Sequence, residues 1–98
     1  SIAPMSEGFA KYTNELLYGE VWLRSGLSSR SRSLATVCAM IAAGDIQFLG
    51  LYMDRAVQHG ISKEEMDEVL TQLAFYAGWP KIVSATLVVK EIYEGIGK

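Results

Sequence analysis

The stretch Ser62–Pro80, SKEEMDEVLTQLAFYAGWP, holds a helix start, an amphipathic run, a stop and a restart. Ser62 followed three residues later by Glu65 has the form of a capping box, in which the serine hydroxyl accepts from one orphan N–H and the glutamate reaches back to another. Met66, Val69, Leu70, Leu73, Ala74 and Ala77 recur at spacings of three and four, so they share one helix face, with Asp67, Glu68 and Thr71 opposite. Gly78 suits the left-handed position past a helix end. Pro80 suits the first position of the next helix, where its missing N–H costs nothing. A tight corner between two helices follows, with Trp79 at its apex, and the apolar face needs further helices to cover it.

Downstream of the corner, a helix from Pro80 to about Glu94 is expected to bury Ile82, Val83, Leu87, Val88, Ile92 and Tyr93. Its length and proline start favour helix over strand despite the β-branched pair Val88-Val89. Upstream, Asp45 reads as the cap of a helix through about Gln58, with Phe48, Leu49, Leu51, Tyr52, Ala56 and Val57 apolar and His59-Gly60 ending it. An earlier helix spans about Ser31 to Ala43 and is closed by Gly44. Its second half, LATVCAMIAA, is apolar almost all round, which predicts burial on every side, in part by a neighbouring subunit. Ser6 caps a first helix to Tyr18, with Phe9, Tyr12, Leu16 and Leu17 inward and Gly19 as its end. The segment Gly19–Ser29, GEVWLRSGLSS, reads as a loop pinned by Val21, Trp22 and Leu27. Residues 1–5 carry no pattern and read as a tail. The expected fold is all-α, five short helices in a single small domain.

The 98 residues amount to one domain, and a chain of this size buries only roughly 60–65% of its extended surface. Half of the residues are hydrophobic. Apolar supply exceeds what one small core hides, so self-association is expected. A net charge of −2, with no basic run longer than Arg30-Ser31-Arg32, gives no electrostatic footprint for nucleic acid or an anionic membrane. The longest apolar run, near Val37 to Ala43, is far short of the about 20 residues that cross a bilayer. One cysteine, Cys38, excludes an internal disulfide and fits a reducing compartment, so a soluble, cytoplasmic protein is expected. The opening SIAPMSEG lacks a basic-then-apolar leader, and its initial serine reads as a processed or trimmed start.

Arg30 and Arg32 stand at the positive end of a helix dipole, which is unfavourable by roughly 0.3–1 kcal/mol each when exposed. Either they form a clamp that converges with free helix N–H groups on an anionic ligand, or they pair with Glu20, Glu15 or a carboxylate of another subunit. Tyr52 lies in the apolar face of its helix and is either a proton or hydrogen-bond donor to an oxyanion, or a core residue with a satisfied hydroxyl. Gln72, beside the seam of the Ser62 helix, either binds ligand or braces a helix crossing. Apolar neighbours predict an unreactive Cys38. His59 precedes a glycine at a helix end and reads as a C-terminal cap. A lone histidine makes no transition-metal site, so neither metal nor cofactor is expected.

Four blocks then come into register: YGEVWLRSGLSSRSRSL (Tyr18–Leu34), the apolar helix through Gly44, AVQHGISKEEMDEVL (Ala56–Leu70) and QLAFYAGWPKIVSATLVVKEIY (Gln72–Tyr93). In order and spacing they resemble the carboxymuconolactone decarboxylase family, which is related to the alkylhydroperoxidase-like proteins. The resemblance implies one domain of that type over residues 1–98, assembled as a ring-like homotrimer or homohexamer with sites near subunit contacts. It implies a lyase that removes CO2 from a small carboxylated lactone of aromatic degradation. Arg30 and Arg32 match the family's basic motif and would clamp the anionic substrate. Glu20, Trp22 and Trp79 match recurring positions and would shape the pocket, with Tyr52 and Arg32 as catalytic candidates and Gln72 as a substrate contact. The chain departs from the pattern twice. Tyr52 stands where the decarboxylase branch commonly has histidine, and Asp45 and Phe48 stand where the peroxidase branch has its cysteine pair. A thiol-dependent peroxidase-like protein and a non-catalytic oligomeric ligand binder are the alternative readings.

Overall fold

A computed structural model describes residues 6–96, all of whose regular structure is helical; the expected tail at residues 1–5 lies outside the described residues. Five helices follow in order: α1 (Glu7–Tyr12), α2 (Ser29–Ala43), α3 (Leu49–Gln58), α4 (Lys63–Ala77) and α5 (Trp79–Ile96). A π-helical turn, Thr13–Tyr18, continues α1, and a 3₁₀ turn, Val21–Leu23, leads towards α2.

The local signals around Ser62 act as their chemistry requires. The Ser62 hydroxyl accepts from the Glu65 N–H at 3.1 Å, and the Glu65 carboxylate accepts from the Ser62 N–H at 3.2 Å. Met66, Leu70 and Ala74 are buried, with Val69, Leu73 and Ala77 half-buried beside them. Gly78 has φ 96° and ψ 147°, a positive-φ corner more extended than the left-handed cap expected there, and α5 begins at Trp79 rather than Pro80.

The core joins Val37 and Ile41 of α2, Leu49, Met53 and Ala56 of α3, Ile61 of the following loop, Met66 and Leu70 of α4, and Ala85 and Val89 of α5. Fully burying a side chain of the size of Leu, Ile or Met is worth about 1.5–3 kcal/mol, so these few residues dominate the stability of the bundle. Two long side chains tie elements together: Lys81 Nζ donates to the Ala42 carbonyl at 2.9 Å, and the Tyr93 hydroxyl donates to the Ile61 carbonyl at 2.8 Å.

Three expectations are corrected, and a fourth, burial of α2 on every side with help from a neighbouring subunit, is met along one face within the chain. Asp45 does not cap α3, which starts at Leu49 after Phe48. The Asp45 backbone N–H instead reaches back to the Met40 carbonyl at 2.9 Å, closing α2 around left-handed Gly44. The apolar half of α2 is buried along one face, by Val37 and Ile41, and Ala35, Ala39, Ala42 and Ala43 are exposed in the single chain. On α5, Val83 and Leu87 are exposed and Ala85 and Val89 are buried. The inward face expected of the first helix is also open, with Phe9, Tyr12 and Leu16 at least half exposed. The reason is tertiary: the backbone of this N-terminal limb lies against the 3₁₀ turn and not against the bundle, so its apolar residues overhang a groove instead of entering the core.

No described helix is long and apolar enough to cross a membrane.

Candidate functional site

The limb and the bundle meet at two tyrosines. The widened π-helical turn ends at Tyr18, and its tight exit requires Gly19: a Cβ there would lie 2.5 Å from the Glu15 carbonyl oxygen and 3.0 Å from that of Asn14. The Tyr18 hydroxyl is hydrogen-bonded to that of Tyr52 on α3, O–O 2.5 Å. One turn on along α3, the Arg55 guanidinium lies over three aromatic faces, 4.6 Å from the Tyr18 ring centroid, 5.4 Å from Trp22 and 5.7 Å from Tyr52. Trp22 stacks on Tyr18 with centroids 6.4 Å apart and sits 6.3 Å from the His59 ring.

Burial, helped by the hydrogen bond and charge of Tyr18 and opposed by Arg55, pushes the Tyr52 hydroxyl up to about 12. Tyr52 therefore stays protonated near neutral pH and is no base there. Burial also pushes the Cys38 thiol up, against a reactive thiolate.

Two cavities flank the tyrosines. Tyr52, with Phe9, Tyr12, Leu16, Met40 and Phe48, lines an open groove of about 920 Å³ in which Asp45 is the charged wall residue. Tyr18, Trp22, Leu23, Ser29, Arg55, Gln58 and His59 line a smaller cavity of about 390 Å³. The smaller one brings a cation, a phenol and an imidazole to one space, and its volume lies in the range of small-molecule sites.

The residues singled out by sequence divide. Tyr52 and Trp22 belong to this cluster. Arg30 is ion-paired with Glu65, the acid of the capping box, which answers the unfavourable dipole at its position with a partner sequence reading had not named. An Arg32 terminal nitrogen donates to the Arg24 carbonyl at 3.0 Å, and its buried Nε has no partner among the described residues. Glu20 is exposed at the start of the 3₁₀ turn, Gln72 is exposed on α4, and Trp79 meets Phe75 edge-on at the corner. None of these five lines either cavity. Sequence reading missed Tyr18 and Arg55 as site residues; Arg55 carries a signal, being a lone cation one turn past Tyr52 on a largely apolar helix. His59 is corrected in part. Its backbone N–H caps α3, as expected of the position, but its ring turns inward, Nδ1 lying 2.5 Å from the Ser33 hydroxyl. Among the described residues no group of three or more His, Cys, Asp or Glu side chains is placed to hold a metal.

An all-helical domain with polar groups gathered between limb and bundle is the class of protein these features define. Residues 7–91 match the model of the Carboxymuconolactone decarboxylase family, and the chain belongs to that family. It is similar to 4-carboxymuconolactone decarboxylase of Acinetobacter baylyi, 28% identical over 92 residues, covering 94% of this chain and 69% of the relative. It is also similar to nitrosuccinic acid decarboxylase of Metarhizium robertsii, 30% identical over 88 residues, covering 90% of this chain and 62% of the relative. An uncharacterized 15.0 kDa protein of Paracoccus denitrificans is 27% identical over 81 residues, 81% of this chain and 60% of the relative. The chain thus spans between 60% and 69% of the length of these relatives.

Proposed function

We propose that this chain is a decarboxylase-like lyase that removes CO2 from a small carboxylated lactone or related acid bound in the smaller cavity. The observation that carries this reading is Arg55, a cation held on three aromatic faces at the wall of that cavity. Both named relatives are decarboxylases of small acids, which supports the same reaction type. Arg55 holds by a charge-assisted contact the carboxylate that the substrate keeps, and the apolar wall of Trp22 and Leu23 favours neutral CO2 over the departing carboxylate. As the C–C bond breaks, its electron pair moves onto an electron-withdrawing substituent of the substrate. The Tyr18 hydroxyl, which lines this cavity and is hydrogen-bonded to Tyr52, is the donor for the oxyanion that develops there. A proton must then reach the carbon that lost CO2.

The assay follows CO2 release from 4-carboxymuconolactone and from nitrosuccinate against the spontaneous rates, with Arg55→Ala, Arg32→Ala and Tyr52→Phe alongside. Turnover that is lost in Arg55→Ala supports the lyase and its anion site; wild-type rates at background for both acids defeat it. If Arg32→Ala alone abolishes turnover, the anion clamp returns to the first turn of α2. The Tyr18–Tyr52 hydroxyl pair favours a second reading, a non-catalytic ligand binder, because each phenol already has a partner. Saturable succinate binding without CO2 release from any acid tested is its signature. A thiol-dependent peroxidase has little support, since the lone cysteine is half-buried with its thiol pushed up; Cys38→Ser should leave CO2 release unchanged.

The exposed Phe75, Tyr76, Trp79 and Leu87 support a ring-like homo-oligomer, trimer or hexamer, which native mass spectrometry resolves.

A further inference from the structure

Ser33 is 1% exposed, a polar side chain in the first half of α2, and its hydroxyl meets Nδ1 of His59 at 2.5 Å across 26 positions of sequence. A histidine that only ended a helix would need no buried partner for its ring, and here the backbone N–H does the capping. With Nδ1 held on the buried side, Nε2 is the nitrogen left to the cavity that His59 lines with Arg55 and Tyr18. The Trp22 ring, tilted 34° to the imidazole, restrains it from a second direction.

We propose, resting on the lyase reading above, that His59 is the catalytic residue that delivers the proton to the decarboxylated carbon, with Ser33 as its positioning residue. The bond between the substrate carbon and its carboxylate breaks, CO2 leaves, and the electron pair passes to the substituent oxygen and back to carbon as the proton leaves Nε2. The imidazolium becomes neutral imidazole and regains a proton from solvent, to which the half-buried ring has access. A serine hydroxyl suits this cycle because it can accept from Nδ1–H throughout, or donate to a bare Nδ1, so the ring need not move as its charge changes. The groups facing the imidazole across the cavity are the Arg55 guanidinium and the Tyr18 phenol. Tyr52 is unsuited to exchange protons near neutral pH, whereas histidine is the side chain built for that range. The chain thus carries its proton carrier at the end of α3 and not in the middle of it.

The chain has a single histidine, so its imidazole is read without ambiguity. Nitrogen-15 spectra of histidine-labelled protein are recorded with and without saturating succinate, an unreactive dicarboxylate probe, and CO2 release is measured on both acids for wild type, His59→Gln and Ser33→Ala. The expected result is a succinate-dependent shift of Nε2 and a pH–rate limb that coincides with the imidazole titration. His59→Gln should lose about 100-fold or more in kcat with KM within about threefold. Ser33→Ala should lose about tenfold in kcat with an altered Nδ1 signal. His59→Gln turning over within twofold of wild type overturns the proposal and leaves the lyase standing. If wild type turns over neither acid, the lyase reading fails by itself, and the spectrum decides the histidine: Nε2 unmoved by saturating succinate removes it from the site, and a shift upholds its place there. The wild-type spectrum needs no variant to fold.

Discussion

Tyr52 lines a groove of about 920 Å³ walled by Phe9, Tyr12, Leu16, Met40 and Phe48, whereas Tyr18, hydrogen-bonded to it, lines a cavity of about 390 Å³ walled by Trp22, Arg55 and His59. The groove is the larger, but Asp45 is its charged wall residue, and its lining offers an entering carboxylate hydroxyls and no cation. The smaller cavity offers a guanidinium whose own desolvation is eased by three ring faces. In the proposed reading charge, not volume, places the anion, and the groove is left as a largely apolar surface that the limb only partly covers.

That assignment fails or holds first at Arg55. Arg55→Ala should lower kcat/KM about 10- to 150-fold, since charge-assisted contacts to a bound anion are worth about 1.5–3 kcal/mol. Phe9→Ala, across the hydroxyl pair, should change it by less than about threefold. Steady-state kinetics on the two variants exchanging places would put the substrate in the groove.

Next in size is Gly19→Ala, expected to destabilise by about 1–3 kcal/mol because its Cβ meets backbone carbonyls that cannot swing aside. Urea unfolding measures it. An unchanged midpoint would mean that the limb does not need the widened turn that ends at Tyr18.

The tyrosine pair gives a pH signature. The Tyr52 hydroxyl ionises at about 12 when folded, against about 10 for an unfolded tyrosine. The folded state therefore holds the proton longer, so this contribution to stability is whole below about pH 10 and is lost as pH rises towards 12. Tyr52→Phe should flatten that slope in urea midpoints taken across the range. A slope that survives the substitution belongs to other groups.

The smallest effect is expected at Arg30. Its pair with Glu65 is nearly half exposed on both sides, and such pairs contribute about 0–1 kcal/mol. Arg30→Met should shift the urea midpoint barely and leave kcat/KM within about twofold. A loss approaching that of Arg55→Ala would show that Arg30 leaves Glu65 to bind substrate.

Much of the fold was legible because helix signals are local. Ser62 and Glu65, Gly44, and the three-and-four spacing of Met66, Leu70 and Ala74 act within a few residues of themselves, and each acts as its chemistry dictates. Asp45 misled because two local roles competed for it, and closing α2 through its backbone won over starting α3 through its side chain. Of the candidate site, Tyr52 was visible as a hydroxyl within an apolar helix face, and Trp22 only through the family resemblance. Arg30 and Arg32 drew attention by standing against a helix dipole, a signal that an ion pair with Glu65 also satisfies.

By itself the sequence determined an all-helical chain, most of its helix ends, and membership of a decarboxylase family, since caps, periodicity and motif blocks are properties of neighbouring residues. Tertiary structure alone decided which apolar faces close and which stay open, and it alone brought Tyr18 to Tyr52 across 34 positions and Ser33 to His59 across 26. Those contacts depend on how whole helices lie against one another, and a displacement of an ångström or two, invisible to any local pattern, makes or removes a hydrogen bond.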